Sequence, residues 1–239
     1  MRQRKLLLDL QESLNAGASI VGNKAYNLSL LRYQVGIENI PECLVLETKI
    51  TSDPQLQMLN VIAEIKQKIV FPIIARSSSN VEDSAVSFAG QFISEICSTD
   101  GELIDTIQKV IKSPQNSHVI EYCKRKKVDP NNIKMAVLFQ PYLPPEMSGV
   151  LFTKNPVNND ENEILIEYKD KTSDAVTAGS MKPQSMIVKK SEMIEQQWPF
   201  DNLIQIGQRV EIHFGFAVDI EWIVSGDKLW IVQTRQVTT

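Results

Sequence analysis

Apolar residues recur at helical spacing through the first half of the chain and at strand spacing through the second. In "GNKAYNLSLLRYQVG", beginning at Gly22, Leu28, Leu31 and Val35 share one helical face, and Gly36 ends the run. "ECLVLE" predicts a short strand, and "PQLQMLNVIAEIKQKIV" predicts an amphipathic helix with Pro54 near its start. "PIIAR" predicts a buried strand running into a serine loop, and "QFISEIC" a strand leaving that loop. Two helices are expected near 102–111 and 117–126. Beyond the turn cluster Asp129-Pro130-Asn131-Asn132, the segments "MAVLFQPYL", "SGVLFTK", "EILIEY" and "QSMIV" predict successive strands. One helix near 202–214 then precedes a closing strand pair, "VDIEWIVSG" and "DKLWIVQTR". The change of character predicts an α+β fold of two lobes, 1–134 and 135–239.

Composition narrows the function classes. At 239 residues, 43% hydrophobic and 23% charged, the chain is of ordinary globular type and long enough for a substantial core. A net charge of −4 gives no general affinity for nucleic acid or anionic membrane. The one basic run, Lys124-Arg125-Lys126-Lys127, reads as a solvated helix end with cations near its negative pole. Cys43, Cys97 and Cys123 are widely spaced and form no CxxC pair, which predicts a reducing, cytoplasmic setting without a disulfide frame. The N-terminal "MRQRKLLLDLQES" starts like a signal peptide, but Asp9 interrupts the apolar run, and no stretch reaches membrane-spanning length.

Three segments carry candidate chemistry. In the closing hairpin, a two-residue loop would set Glu221 opposite Trp230, with Gln233 and Arg235 on the other side. A three-residue loop, Gly226-Asp227-Lys228, would set Glu221 opposite Gln233 and Asp219 opposite Arg235. The second register is expected because it gathers the polar groups on one face and leaves Ile220, Trp222, Trp230 and Val232 on the other. A carboxylate beside an amide oxygen suits a hard cation such as Mg²⁺. Taken alone, the same residues also make a half-exposed hairpin with a cross-strand ion pair. In "GNKAYNL", Lys24 stands at the mouth of a helix, where its ammonium and open backbone N–H groups suit a phosphate; an ordinary solvated lysine fits equally. No G-x-x-x-x-G-K-[ST] loop occurs. In "ARSSSNVEDSAVSFAGQF", Arg76 leaves a buried strand and suits bidentate phosphate contact, Gly90 allows close backbone approach, and Ser94 offers a hydroxyl; a plain serine loop with an acidic pair is the alternative. Three cations, a carboxylate–amide pair and a Gly/Ser loop meet the needs of a nucleoside triphosphate, whose chemistry asks mainly for positioning and charge neutralisation.

These segments, in order, resemble the ATP-binding domain of the phosphoenolpyruvate synthase, pyruvate phosphate dikinase and rifampicin phosphotransferase family, the dikinase branch of the ATP-grasp fold. "VGNKAYNLSLL" is similar to the family's V-G-G-K-G-A-N-L-x-x-L, and "IIARSSSNVEDSAVSFAGQF" to its V-A-V-R-S-S-A-x-x-E-D near S-F-A-G-Q. "MAVLFQPYLPPEMSGVLFTKNP" resembles V-V-V-Q-x-M-V followed by S-G-V-x-F-T-x-N-P, while "DIEW" and "QTR" resemble the closing D-I-E-W and L-Q-[ST]-R. The resemblance implies two α+β lobes with the nucleotide in the cleft between them. It implies that Lys24, Arg76 and Arg235 hold the triphosphate and serve catalysis, with Gly90 and Ser94 lining the phosphate loop. It further implies Gln140 beside the adenine and Glu221 with Gln233 on Mg²⁺.

The departures are specific. Asn23 and Ala25 replace two family glycines, and "YKDKTSDAVTAG" keeps Val176 and Gly179 but has Asp174 where the family has glutamate. Nothing resembles the family's phosphohistidine segment, T-x-G-G-x-x-S-H, and His118 and His213 read as structural or solvated. The expected function is therefore an ATP-dependent phosphotransferase module that uses Mg²⁺. Its acceptor would be a small molecule or a histidine on a separate carrier protein. Two other classes stand beside it: a nucleotide-binding module without turnover, and an ATP-grasp ligase forming an acyl phosphate.

Overall fold

The computed structural model describes residues 5–47, 54–82, 88, 90–170, 183–192 and 197–237. They form two compact units, the first made of Met1–Leu30 and Glu42–Tyr142, the second of Leu31–Pro41 and Leu143–Thr239.

The first unit holds a five-stranded antiparallel sheet built from β1 (Leu7–Leu8), β2 (Leu44–Leu46), β3 (Ile73–Ser79), β4 (Ser94–Cys97) and β5 (Met135–Pro141), in the order β1-β2-β5-β3-β4. Its helices are α1 (Leu10–Ala16), α2 (Ala18–Leu30), α3 (Pro54–Lys68), α4 (Leu103–Lys112) and α5 (Ser117–Lys126). Strand alternation sends Ile73, Ala75, Val137, Phe139, Leu44 and Leu46 to one face. There they meet Val61 and Ile65 of α3, Leu103, Ile107 and Val110 of α4, and Val119 and Cys123 of α5. The spacing of Leu103, Thr106, Ile107 and Val110 explains α4, because all four buried residues fall on one stripe. α2 packs against β3 and β5.

Two elements were not read from sequence. β1 is two residues long, and α1 is a single capping box in which Asp9 accepts from the Glu12 N–H and Glu12 from the Asp9 N–H. The serine run also differs from expectation. Ser77, Ser78 and Ser79 belong to β3, paired with Val137, Ala136 and Met135, and all three are buried. The strand-rich half anticipated from residue 135 begins with β5, and β5 is the central strand of this first sheet.

The second unit holds β6 (Met147–Phe152), β7 (Glu163–Asp170), β8 (Gln184–Lys189), β9 (Val218–Ser225) and β10 (Lys228–Gln236), antiparallel in the order β10-β9-β6-β7-β8. α6 (Phe200–Phe214) covers one face with Leu203, Ile204, Gly207 and Val210. Phe200 meets Trp222 and Tyr168 by ring contacts at 6.2 and 4.9 Å. Residues 31–41 belong to this unit: Arg209 Nη2 donates to the Val35 carbonyl at 2.7 Å, and Ile231 N–H donates to the Asn39 carbonyl at 2.7 Å. Cys43, Cys97 and Cys123 are buried, and among the described residues no helix is long and apolar enough to cross a membrane.

Gly149 shows how tightly β6 and β7 approach. A Cβ there would lie 2.1 Å from the Glu167 carbonyl oxygen, whereas one at Gly101 would meet only the Thr99 Oγ1 at 3.8 Å. Gly149→Ala is therefore expected to lower unfolding stability by about 1–3 kcal/mol or more, and Gly101→Ala by no more than about 0.5 kcal/mol. Urea unfolding of the two variants beside wild type checks the contrast.

Candidate functional site

β3 and its neighbours place the first group of residues. Arg76 lies directly across from Ser94 on β4 and from Leu138 on β5, while Gln140 lies across from Ile74. Arg76, Ser94 and Gln140 thus share one sheet face, the face opposite the α3–α4–α5 core. Arg76 Nη1 donates to Gln140 Oε1 at 3.4 Å, and Gln140 Nε2 donates to Cys43 Sγ at 3.4 Å. Further along the same face, Ser78 meets α2. Its hydroxyl donates to the Val21 carbonyl at 2.7 Å and accepts the Ala25 N–H at 3.1 Å.

That contact explains the glycine of the "VGNK" motif. Gly22 interrupts α2 with φ 75° and ψ 166°, and a Cβ there would lie 2.0 Å from the Ser78 carbonyl oxygen. The Ala25 N–H, one of those expected to be open to a phosphate, is instead capped by Ser78. A buried helix start must satisfy its donors within the protein.

Lys24 is ion-paired with Glu82, with side-chain exposures of 12% and 7%. Glu82 also accepts the Ser79 N–H at 3.0 Å and the Ser77 hydroxyl at 3.4 Å. The three serines and Glu82 therefore stitch the end of β3 to α2. Sequence reading treated Glu82 only as half of an acidic pair; its place after the buried serines was the available signal.

Gly90 is exposed, with φ 69° and no described atom within 4 Å of where a Cβ would stand. Its loop is anchored on both sides. Phe88 is fully buried, stacks on Phe92 at 5.5 Å and meets the edge of Tyr122 at 5.1 Å. The Gln91 carbonyl lies 3.0 Å from His118 Nε2, so that nitrogen carries the proton and donates. Residues 83–87 and 89 lie outside the described residues, as do Asp174, Val176 and Gly179.

The second group stands on β9 and β10. Glu221 pairs with Gln233 and Asp219 with Arg235, the expected register. The route to it differs. The turn has two residues, Gly226 and Asp227, both at positive φ (59° and 56°), and an irregularity between Ile231 and Gln233 leaves Val232 as an extra residue. The bulge changes the strand phase. Leu229 and Ile231 face the same side as Ile220, Trp222 and Val224, under α6, while Trp230 joins Ile223 on the side that carries Glu221 and Gln233. The expected grouping of Trp230 with Ile220 and Trp222 is corrected accordingly, because a strand without a bulge cannot put 229, 231, 220 and 222 on one side and 233 and 235 on the other.

Asp219 is 4% exposed; its Oδ2 accepts from Arg235 Nε at 2.7 Å, and its Oδ1 has no partner among the described residues. Burial pushes its carboxyl up to about 6, against the pull of the Arg235 guanidinium and with a further push from Glu221. Glu221, Gln233 and the orphaned Asp219 oxygen are hard oxygen donors on one face, which fits Mg²⁺. Among the described residues no three His, Cys, Asp or Glu side chains form a complete metal shell. A metal held here would take its remaining ligands from water and phosphate, the habit of Mg²⁺ in phosphoryl-transfer sites.

The profile of the family described as "Pyruvate phosphate dikinase, AMP/ATP-binding domain" matches residues 38–200 and 195–239. The chain belongs to that family. The match takes in Arg76, Gly90, Ser94, Gln140, Glu221, Gln233 and Arg235 and begins downstream of Lys24. Among relatives of this dikinase domain, a probable phosphoenolpyruvate synthase of Pyrococcus horikoshii is 30% identical across 77% of this chain and 29% of its own length. A rifampicin phosphotransferase of a Streptomyces species is 26% identical across 69% of this chain and 23% of its own length. The chain thus spans less than a third of either relative. A D-alanine–D-alanine ligase from Helicobacter pylori superposes with a TM-score of 0.50 over 91% of this chain and 54% of its own, at 10% identity. The fold is α+β ATP-grasp.

Asp219 yields a pH prediction for the metal-free protein. Its folded-state pKa lies above the ordinary 3.8, so its contribution to stability is greatest below about 3.8 and is lost as pH rises through about 6. A displacement of that size is worth on the order of 2–3 kcal/mol. In chelator-containing buffer, Asp219→Asn should remove that pH dependence and be more stable than wild type above pH 6. Denaturant unfolding at pH 5 and pH 8 measures both.

Proposed function

We propose that this chain binds Mg·ATP and passes a phosphoryl group to an acceptor outside this chain. The observation that carries the reading is the cross-strand pair Glu221–Gln233 beside the pair Asp219–Arg235 on one sheet face. A carboxylate and an amide oxygen with an adjoining guanidinium answer to a metal–phosphate ligand, and membership of the dikinase AMP/ATP-binding family supports it.

In this reading Lys24, Arg76, Gly90, Ser94 and Arg235 serve the phosphates, and Glu221 and Gln233 serve the metal. Arg76 and Arg235 would neutralise phosphate charge through fixed guanidinium forks, and the Ser94 hydroxyl would donate to a phosphate oxygen. Positive φ at Gly90 would let backbone come close to the ligand. Lys24 would exchange its Glu82 carboxylate for phosphate or serve both. Glu221 and Gln233 would hold Mg²⁺, which when bound neutralises charge on phosphate oxygens. Positioning and charge neutralisation are most of what such a transfer asks of a protein. The acceptor is either a small molecule or a histidine on a separate carrier. The three buried, widely spaced cysteines support a cytoplasmic setting.

A second reading, nucleotide binding without turnover, is favoured by Asn23 and Ala25 in the first loop and by the buried Lys24–Glu82 pair, with which a phosphate would compete.

Phosphorus NMR after incubation with Mg·ATP and candidate acceptors separates the readings. ADP indicates single-phosphoryl transfer or hydrolysis, AMP with orthophosphate indicates dikinase chemistry, and binding without products supports the second reading. Arg76→Ala should weaken Mg·ATP binding about tenfold to a hundredfold, with Lys124→Ala nearly silent in the same calorimetry. Glu221→Gln keeps size and hydrogen bonding but removes a negative metal ligand, so turnover should collapse while affinity falls less. Wild-type turnover by Glu221→Gln at saturating Mg·ATP would remove the metal assignment.

A further inference from the structure

Gln140 is 2% exposed, and both ends of its amide are engaged by side chains from neighbouring strands. Arg76 on β3 donates to Oε1, and Nε2 donates to the sulfur of Cys43, which immediately precedes β2. The amide orientation follows from chemistry. A guanidinium has only donors, so only the amide oxygen can face it, and the NH₂ is left for a sulfur that accepts. Cys43 just before β2, Gln140 on β5 and Arg76 on β3, strands that neighbour one another in the order β2-β5-β3, therefore form a relay from thiol through amide to guanidinium.

We propose that Gln140 is a positioning residue for Arg76, oriented in turn by Cys43, and does not read the nucleotide base. The inference rests on the reading of Arg76 as a phosphate ligand. A long cationic side chain ordered before ligand arrives loses less freedom on binding, and a buried amide on a central strand is a rigid support for one. The Arg76–Gln140 contact, 3.4 Å, is at the long end for an N–H···O hydrogen bond, which leaves the guanidinium able to shift toward a phosphate. A distance of 3.4 Å to the larger sulfur of Cys43 is ordinary and holds the amide's direction. A base-reading glutamine would need amide groups that turn away from the protein toward the ligand. Here each end turns inward.

The relay makes the effect of Gln140 independent of the base. Calorimetric titration with ATP, GTP and inorganic tripolyphosphate, each with Mg²⁺, tests it in Gln140→Met, which keeps length and burial, removes the amide donor and leaves Arg76 only a weak sulfur acceptor. The expected result is a similar loss for all three ligands, about two- to tenfold. In an Arg76→Ala background the same change should add nothing further. Cys43→Ala should give a smaller uniform loss, and Cys43→Ser, which restores an acceptor, should recover it. These cysteine variants carry the test if Gln140→Met loses its near-ultraviolet circular dichroism. An altered ATP-to-GTP ratio with tripolyphosphate binding intact would overturn the relay and leave the phosphate reading standing. So would additivity with Arg76→Ala, or Cys43→Ala and Cys43→Ser both binding like wild type. Wild-type protein that binds neither ATP nor tripolyphosphate would overturn the phosphate reading and the relay together.

Discussion

Leu229 and Ile231 must face the same side as Ile220, Trp222 and Val224 if the second sheet is to close beneath α6, while Gln233 and Arg235 must face the other. A regular strand cannot meet both demands, since its side chains alternate with a period of two and 229, 231, 233 and 235 would all point one way. The extra residue at Val232 resolves the conflict. Before it, β10 presents aliphatic residues to the core; after it, the same strand presents an amide and a guanidinium to the opposite face. The pairings Glu221–Gln233 and Asp219–Arg235, and every functional reading built on them, depend on that one bulge.

The first unit shows a comparable economy. The residues that look most like a ligand cradle, from "ARSSSNVED" on to Ser94, divide into two sets. Ser77, Ser78, Ser79 and Glu82 are buried and bind protein: Ser78 caps the break in α2 at Gly22, and Glu82 holds Lys24. Arg76, Ser94 and Gly90 remain in positions from which a phosphate could be met. Residues that serve the fold thus interleave along the chain with those proposed to meet a phosphate. Removing one partner of a buried pair such as Lys24–Glu82 is destabilising, typically by about 3–5 kcal/mol, so a loss of binding on mutating Lys24 would mix both roles.

The electrostatics of the second face follow the same logic. Asp219 is buried beside Arg235, yet its Oδ1 has no partner among the described residues, and burial raises its carboxyl. Buried polar atoms are rarely left unsatisfied, and a bound ion is one of the explanations for an exception. A divalent cation on Glu221 and Gln233 would relieve that cost, coupling metal binding to the stability of the hairpin that carries it.

The order of elements, the α+β class and the family were legible in the sequence, because helical and strand periods are local and the motifs are short, ordered and specific. The pairing of Glu221 with Gln233 was legible too, since the polar residues had to share a face. What the sequence did not reveal was how that pairing is reached: a two-residue turn with positive φ at Gly226 and Asp227, and a bulge at Val232, satisfy the same pairing as the three-residue loop, and only packing beneath α6 selects between them. The serines were read as loop because hydroxyl residues favour turns, yet β5 and α2 supply the hydrogen bonds that make them buried strand. β1 and α1 escaped because a two-residue strand and a two-turn helix have no period to detect. Local chemistry thus determined which side chains this protein has to offer a nucleotide; contacts from residues distant in sequence, such as Val21 with Ser78 and Cys43 with Gln140, decided which of them the fold itself uses.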